Sequence, residues 1–136
     1  MLESGAQLIM ESGAKIILES GSPTGGILEL ADNAVLTIPS GAFLEANPGT
    51  QIKCGTSAKV EIKGELKSLG TGSSGSQQVL FTRTGASGTW TGIVVENSSG
   101  GPKATLTYTK IEHCNRALRV GINGALSMSN QGMFQT

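Results

Sequence analysis

Gly5, Gly13 and Gly21 stand eight residues apart, and Glu3-Ser-Gly-Ala-Gln-Leu-Ile-Met is followed directly by Glu11-Ser-Gly-Ala-Lys-Ile-Ile-Leu. An insertion around Pro23 to Gly26 shifts the frame by four residues, after which Asn33, Gly41, Gly49 and Ser57 resume the period of eight. A unit this short cannot bury an apolar face alone, so the units must stack on one another around a shared core. Apart from the unit headed by Ser57, each begins with Gly or Asn, residues that accept the left-handed backbone a sharp bend needs. Ala or Thr comes next, and then polar and apolar residues alternate, as on a short strand with one face inside.

That alternation assigns the faces. Ala6, Leu8 and Met10 point one way, as do Ala14, Ile16 and Leu18, then Ala34, Leu36 and Ile38, then Ala58, Val60 and Ile62. Leu8, Ile16, Leu36, Leu44, Ile52 and Val60 are therefore expected inside, and Lys15, Lys53, Lys59 and Glu61 outside. A meander of antiparallel hairpins would need tight turns of the Asn-Gly type between strands, and only Asn123-Gly124 qualifies. A solenoid fits better, because each corner turns the chain onto the next face and each strand pairs with its equivalent one coil away. Three faces of eight residues make a coil of about 24, and the expected fold is an all-β, right-handed, single-stranded parallel β-helix of roughly five to six coils.

After Gly64 the octad loosens. A Gly/Ser-rich segment from Gly70 to Ser76 precedes Val79-Leu80-Phe81, then Trp90 to Val95, a second loop from Asn97 to Gly101, and further short apolar runs as far as Phe134. No segment reads as an interdomain linker, so residues 1–136 are expected to form one domain, with regular octads over 1–70 and longer corner loops over 71–136. Ten basic residues balance ten acidic ones, which argues against nucleic acid or an anionic membrane surface as partner. The apolar runs are far shorter than the roughly 20 residues that span a bilayer.

Two cysteines and one histidine show no zinc-site spacing, and no metal or cofactor is expected. With coils of 24, the 60 residues between Cys54 and Cys114 place the thiols on different faces and levels, unpaired. The N-terminus lacks the basic and apolar regions of a secretory signal, so the chain reads as mature, truncated or cytoplasmic. Leu2 opens in mid-octad and Phe134 still reads as solenoid, which predicts uncapped ends: either a piece of a longer β-helix or a unit that stacks end to end.

Gly64-Glu-Leu-Lys-Ser-Leu-Gly-Thr71, Val79-Leu-Phe-Thr82, Trp90-Thr-Gly-Ile93 and Leu106-Thr-Tyr-Thr-Lys-Ile-Glu112 follow one another in a familiar order. The chain resembles the right-handed parallel β-helix repeats of large bacterial surface and secreted proteins, within the pectate-lyase-like solenoids. The resemblance implies an extracellular or cell-surface setting and a polysaccharide or protein partner. It says little about chemistry, since such relatives include adhesins, passenger domains and polysaccharide-degrading enzymes.

Enzymes on this fold work through convergent carboxylates, and the candidates here are Glu61, Glu65, Glu96 and Glu112, with Lys110, Arg116 and Arg119 as basic partners. Asp32 is the sole aspartate, and His113 has no serine or cysteine nucleophile that the sequence pairs with it. Trp90, Tyr108 and Phe81 could stack on sugar rings, although strand positions favour packing for Phe81 and Tyr108. Trp90, Glu96 and Arg116 are the residues singled out for ligand contact. The Thr-x-Thr pairs at Thr82/Thr84, Thr89/Thr91 and Thr105/Thr107/Thr109 would suit an ice-binding face only if ranked over many coils, and Thr is in any case a good strand residue. The expected function is a non-catalytic structural or adhesive module, with a carbohydrate-binding or polysaccharide-degrading β-helix as the alternative and an ice-binding solenoid as a minor one.

Overall fold

A computed structural model of the chain describes residues 7–8, 10–21, 25–96, 103–121 and 125–129. The corners come first, because they set everything else. Asn33 and Ser57 have φ of 62°, and Gly41 and Gly49 have φ of 82° and 83°. All four octad heads thus adopt the left-handed backbone. The residue after each head returns its N–H to the carbonyl three residues back: Ala34 to Ala31, Ala42 to Pro39, Thr50 to Asn47 and Ala58 to Gly55, at 3.0–3.2 Å. Those same four side chains are buried, which explains why the position takes only Ala or Thr: the inside of a corner is narrow.

Between corners lie short strands, and every third one pairs in parallel. The first sheet runs β1 (Gln7–Leu8), β4 (Val35–Ile38), β7 (Lys59–Ile62), β10 (Gly92–Val95) and β13 (Leu118–Val120). The second runs β2 (Lys15–Leu18), β5 (Phe43–Ala46), β8 (Glu65–Leu69), β11 (Lys103–Thr107) and β14 (Ala125–Ser129). The third runs β3 (Ile27–Leu30), β6 (Gln51–Cys54), β9 (Val79–Arg83) and β12 (Thr109–Ile111). Three parallel sheets with strands in sequence order make a parallel β-helix, as the repeat predicts.

Registered side chains form inward columns, such as Leu36, Val60 and Ile93, or Leu44, Leu66 and Ala104, all with no exposure. Leu36, Leu44, Ile52 and Val60 are buried as expected, and Ile16 is half-buried at the first coil. The side chain of Leu8 lies outside the described residues, as do Leu2 and Phe134. Lys15 is exposed, whereas Lys53, Lys59 and Glu61 face outward but are half-covered by their neighbours on the flat sheet.

Coil length departs from 24 where loops are inserted. Val35 pairs with Lys59, 24 positions on, but Gln51 pairs with Leu80 across 29 and Glu65 with Lys103 across 38. The described chain therefore makes four three-strand coils and two strands of a fifth. The same lengthening corrects the placement of the cysteines. Cys54 ends β6 and Cys114 lies just past β12, so the 60 residues between them span two long coils, and both thiols sit on the third sheet's side of the core. They differ in level but share a face. Both are buried and neither forms a disulfide.

Trp90 and Phe81 are buried in the interior, where their rings stack with centroids 6.4 Å apart. Trp90 Nε1 donates to the carbonyl of Glu112 at 2.8 Å, which satisfies the buried indole. Ser68 and Thr109 also face inward, with hydroxyls 2.6 Å apart. Thr109 donates to the carbonyl of Thr107 at 3.1 Å, so Ser68 supplies the proton between them.

Candidate functional site

Residues two apart on a strand share a face, and the outward charges use that spacing. Lys59 pairs with Glu61 on β7, Lys67 with Glu65 at 3.9 Å on β8, and Lys110 with Glu112 at 2.8 Å at the end of β12. The Lys67 ammonium also lies 4.6 Å from the centroid of the Phe43 ring on the adjacent strand. Thr37, next to Glu61 in the first sheet, donates to Glu61 Oε2 at 3.3 Å. Each pair belongs to a different sheet, so Glu61, Glu65 and Glu112 do not share a face.

A polar cluster surrounds Glu112. Its Oε1 accepts a hydrogen bond from Thr82 Oγ1 on β9 at 3.0 Å and lies 3.7 Å from His113 Nε2, while Oε2 holds Lys110. Burial alone pushes its pKa up. The hydrogen bonds from Lys110 and Thr82 and the charges of Lys110 and His113 together outweigh that and leave the carboxyl below its ordinary value. A carboxylate held ionised in this way cannot serve as a general acid near neutrality. His113 itself stands at φ 57° on the corner, and its neighbour Cys114 is 1% exposed, its thiol pKa raised by burial.

The residues singled out for ligand contact do not converge. Trp90 has no exposed surface, so its ring serves the core and offers no face to a sugar. Arg116 is exposed at the corner before β13, its N–H bonded to the Thr91 carbonyl at 3.2 Å. Glu96 is half-buried just past β10, at the opposite end of the same sheet. Phe81 is buried and Tyr108 is half-buried on a corner at φ 42°. The Thr-x-Thr pairs scatter as well: Thr82 bonds Glu112, Thr89 Oγ1 bonds Asn115 Oδ1 at 2.8 Å on a corner, and Thr109 is inside. Unforeseen was the link from Thr82 to Glu112; the Lys-x-Glu spacing was visible in the chain, but the partner one coil away was not, because β9 to β12 is 30 residues.

Among the described residues, no group of three or more His, Cys, Asp or Glu side chains is placed to hold a metal ion, and no helix is long and apolar enough to cross a membrane. No protein-family model, curated protein or solved structure matches the chain.

Proposed function

We propose that the chain is a structural or adhesive β-solenoid module of a bacterial cell-surface or secreted protein, without catalytic activity. The observation that carries this reading is the disposition of outward charge: same-strand lysine–glutamate pairs stand on all three sheets, and where two outward carboxylates share neighbouring strands, as Glu45 and Glu65 do, Lys67 is registered with the first and paired with the second. A rod that neutralises its own surface charges and fills its interior with packed columns is suited to holding position and spacing. The order of motifs from Gly64 to Glu112, similar to pectate-lyase-like surface repeats, supports the extracellular setting and a polysaccharide or protein partner.

Incubation of the purified chain with acidic and neutral polysaccharides separates this reading from the carbohydrate-active one. Reducing ends and unsaturated products are measured over hours, and retention of the chain on immobilised polysaccharide or protein is measured in parallel. Retention without product release is expected. Product release that scales with protein concentration would replace the module reading with that of a polysaccharide-degrading enzyme.

A further inference from the structure

In a solenoid, sequence order is position along the axis. β1, β2 and β3 form one edge of the three sheets, and β13, β14 and β12 form the other. The balanced total charge hides a segregation along that axis: six acidic residues and one basic residue precede residue 51, whereas four acidic and nine basic residues follow it. The first coil carries Glu11, Glu19 and Glu29 against Lys15, and the far end carries Lys110 on β12 and Arg116 and Arg119 at β13 against Glu112. Glu11, Glu19, Arg116 and Arg119 are exposed. Four strand spacings put the two end coils about 19 Å apart, roughly two Debye lengths at physiological salt, so the fields of the two ends do not cancel.

Among the described residues, the inward apolar positions are most exposed at the same two ends. Val120 and Leu126 occupy inward positions, registered with Val95 and Ala104, yet are 38% and 39% exposed. At the other end Ile16, Leu18 and Leu28 are only half-buried, whereas their registered partners Leu44, Ala46 and Ile52 have no exposure. Opposite charge and matching apolar cross-section on the two ends of one molecule fit each end to the other end of a second copy. We propose that this solenoid self-associates head to tail, the basic last coil of one copy docking on the acidic first coil of the next. Such a contact is heterologous and does not close, so it builds linear chains of copies.

Light scattering and small-angle X-ray scattering across a dilution series test this at low and at high salt. The expected result is association that grows with concentration, weakens as salt is added, and lengthens the particle while its cross-sectional radius stays constant. Glu11→Lys with Glu19→Lys, or Arg116→Glu with Arg119→Glu, should each weaken self-association by about tenfold or more, and mixing the two double variants should restore it. Circular dichroism of each variant confirms that the fold persists, as expected for exposed positions; a pair that unfolds is replaced by the corresponding Gln substitutions, read in the same way. A monomer at every concentration, association strengthened by salt, or a particle whose cross-section doubles, as in side-by-side pairing, would overturn the proposal.

Discussion

At Ser57 an ordinary side chain occupies φ 62°, where the steric cost to an L-residue is about 1–2 kcal/mol. Its equivalents at other corners are Gly41, Gly49 and Asn33, so Ser57→Gly relieves that cost at the expense of some added freedom in the unfolded chain. The net expectation is a stabilisation of about 0.5–1 kcal/mol in urea denaturation. Gly92 is the opposite case. It opens β10 at φ 118°, and a Cβ there would overlap the carbonyl oxygen of Arg116 on the next coil. Gly92→Ala should therefore cost on the order of 3 kcal/mol or more, since the obstacle is backbone and not a movable side chain. A Gly92→Ala protein as stable as the parent would mean that the two coils are not in contact there. The octad heads were readable in the chain because a bend has few residue solutions, whereas Gly92 lies after the rhythm loosens and looks like any other glycine. The thiols show the same limit: their burial was legible from their strands, and their shared face was not. Burial of Cys54, together with the nearby Cys114, raises its thiol pKa far above the ordinary value, and both side chains are closed to solvent. A thiol reagent at pH 8 should label neither cysteine in the folded protein and both after denaturation. Rapid labelling of the native chain would contradict the packing around Trp90.

Strands carry two separable contributions, one inward and one outward. Leu36, with no exposure and in register with Val60, should lose about 2–5 kcal/mol on Leu36→Ala, while Thr37→Ala one position away should change stability by about 0.5 kcal/mol or less. Thermal melting of the two variants side by side tests the register, and a larger loss for Thr37→Ala would invert it. On the outer face, the depressed pKa of Glu112 makes its contribution dependent on pH. A carboxyl whose folded value lies below the ordinary 4.5 stabilises the fold above that value, and the stabilisation disappears as pH falls through the folded value. The stability difference between the parent and Glu112→Gln should accordingly be present at pH 7 and shrink between pH 5 and 3. A difference that stays constant over that range would mean that the Thr82 and Lys110 contacts do not hold the charged form. Inward positions could be read from alternation alone, since burial needs only the strand's own period. The polar cluster needed the pairing of β9 with β12, and loop length decides that pairing.

The whole molecule is a one-dimensional stack, and its stability should behave as a sum over coils and their interfaces. The number of faces and the parallel stacking followed from the period of eight, but coil length did not, because the inserted loops after Leu69 and Arg83 leave the strands in register while lengthening the path between them. The axial charge segregation was also present in the chain, concealed by a net charge of zero until the solenoid turned sequence order into distance. Val35 and Lys59 are in register, so deleting Val35–Ala58 removes the single coil of β4, β5 and β6 and joins the corner at Ala34 directly to β7. The columns then close up, with Ile16 on Leu66 and Leu28 on Phe81, both pairs apolar. The shortened chain should unfold in one cooperative transition, at a lower denaturant midpoint, with an m-value reduced roughly in proportion to the residues removed. Deleting one residue more, Val35–Lys59, starts the strand at Val60 and turns Val60 and Ile62 to solvent, because the side-chain period is two. That variant should lose cooperative unfolding. Equal stability for the two deletions would show that the coils are not interchangeable units, and the additive account of the stack would fail with them.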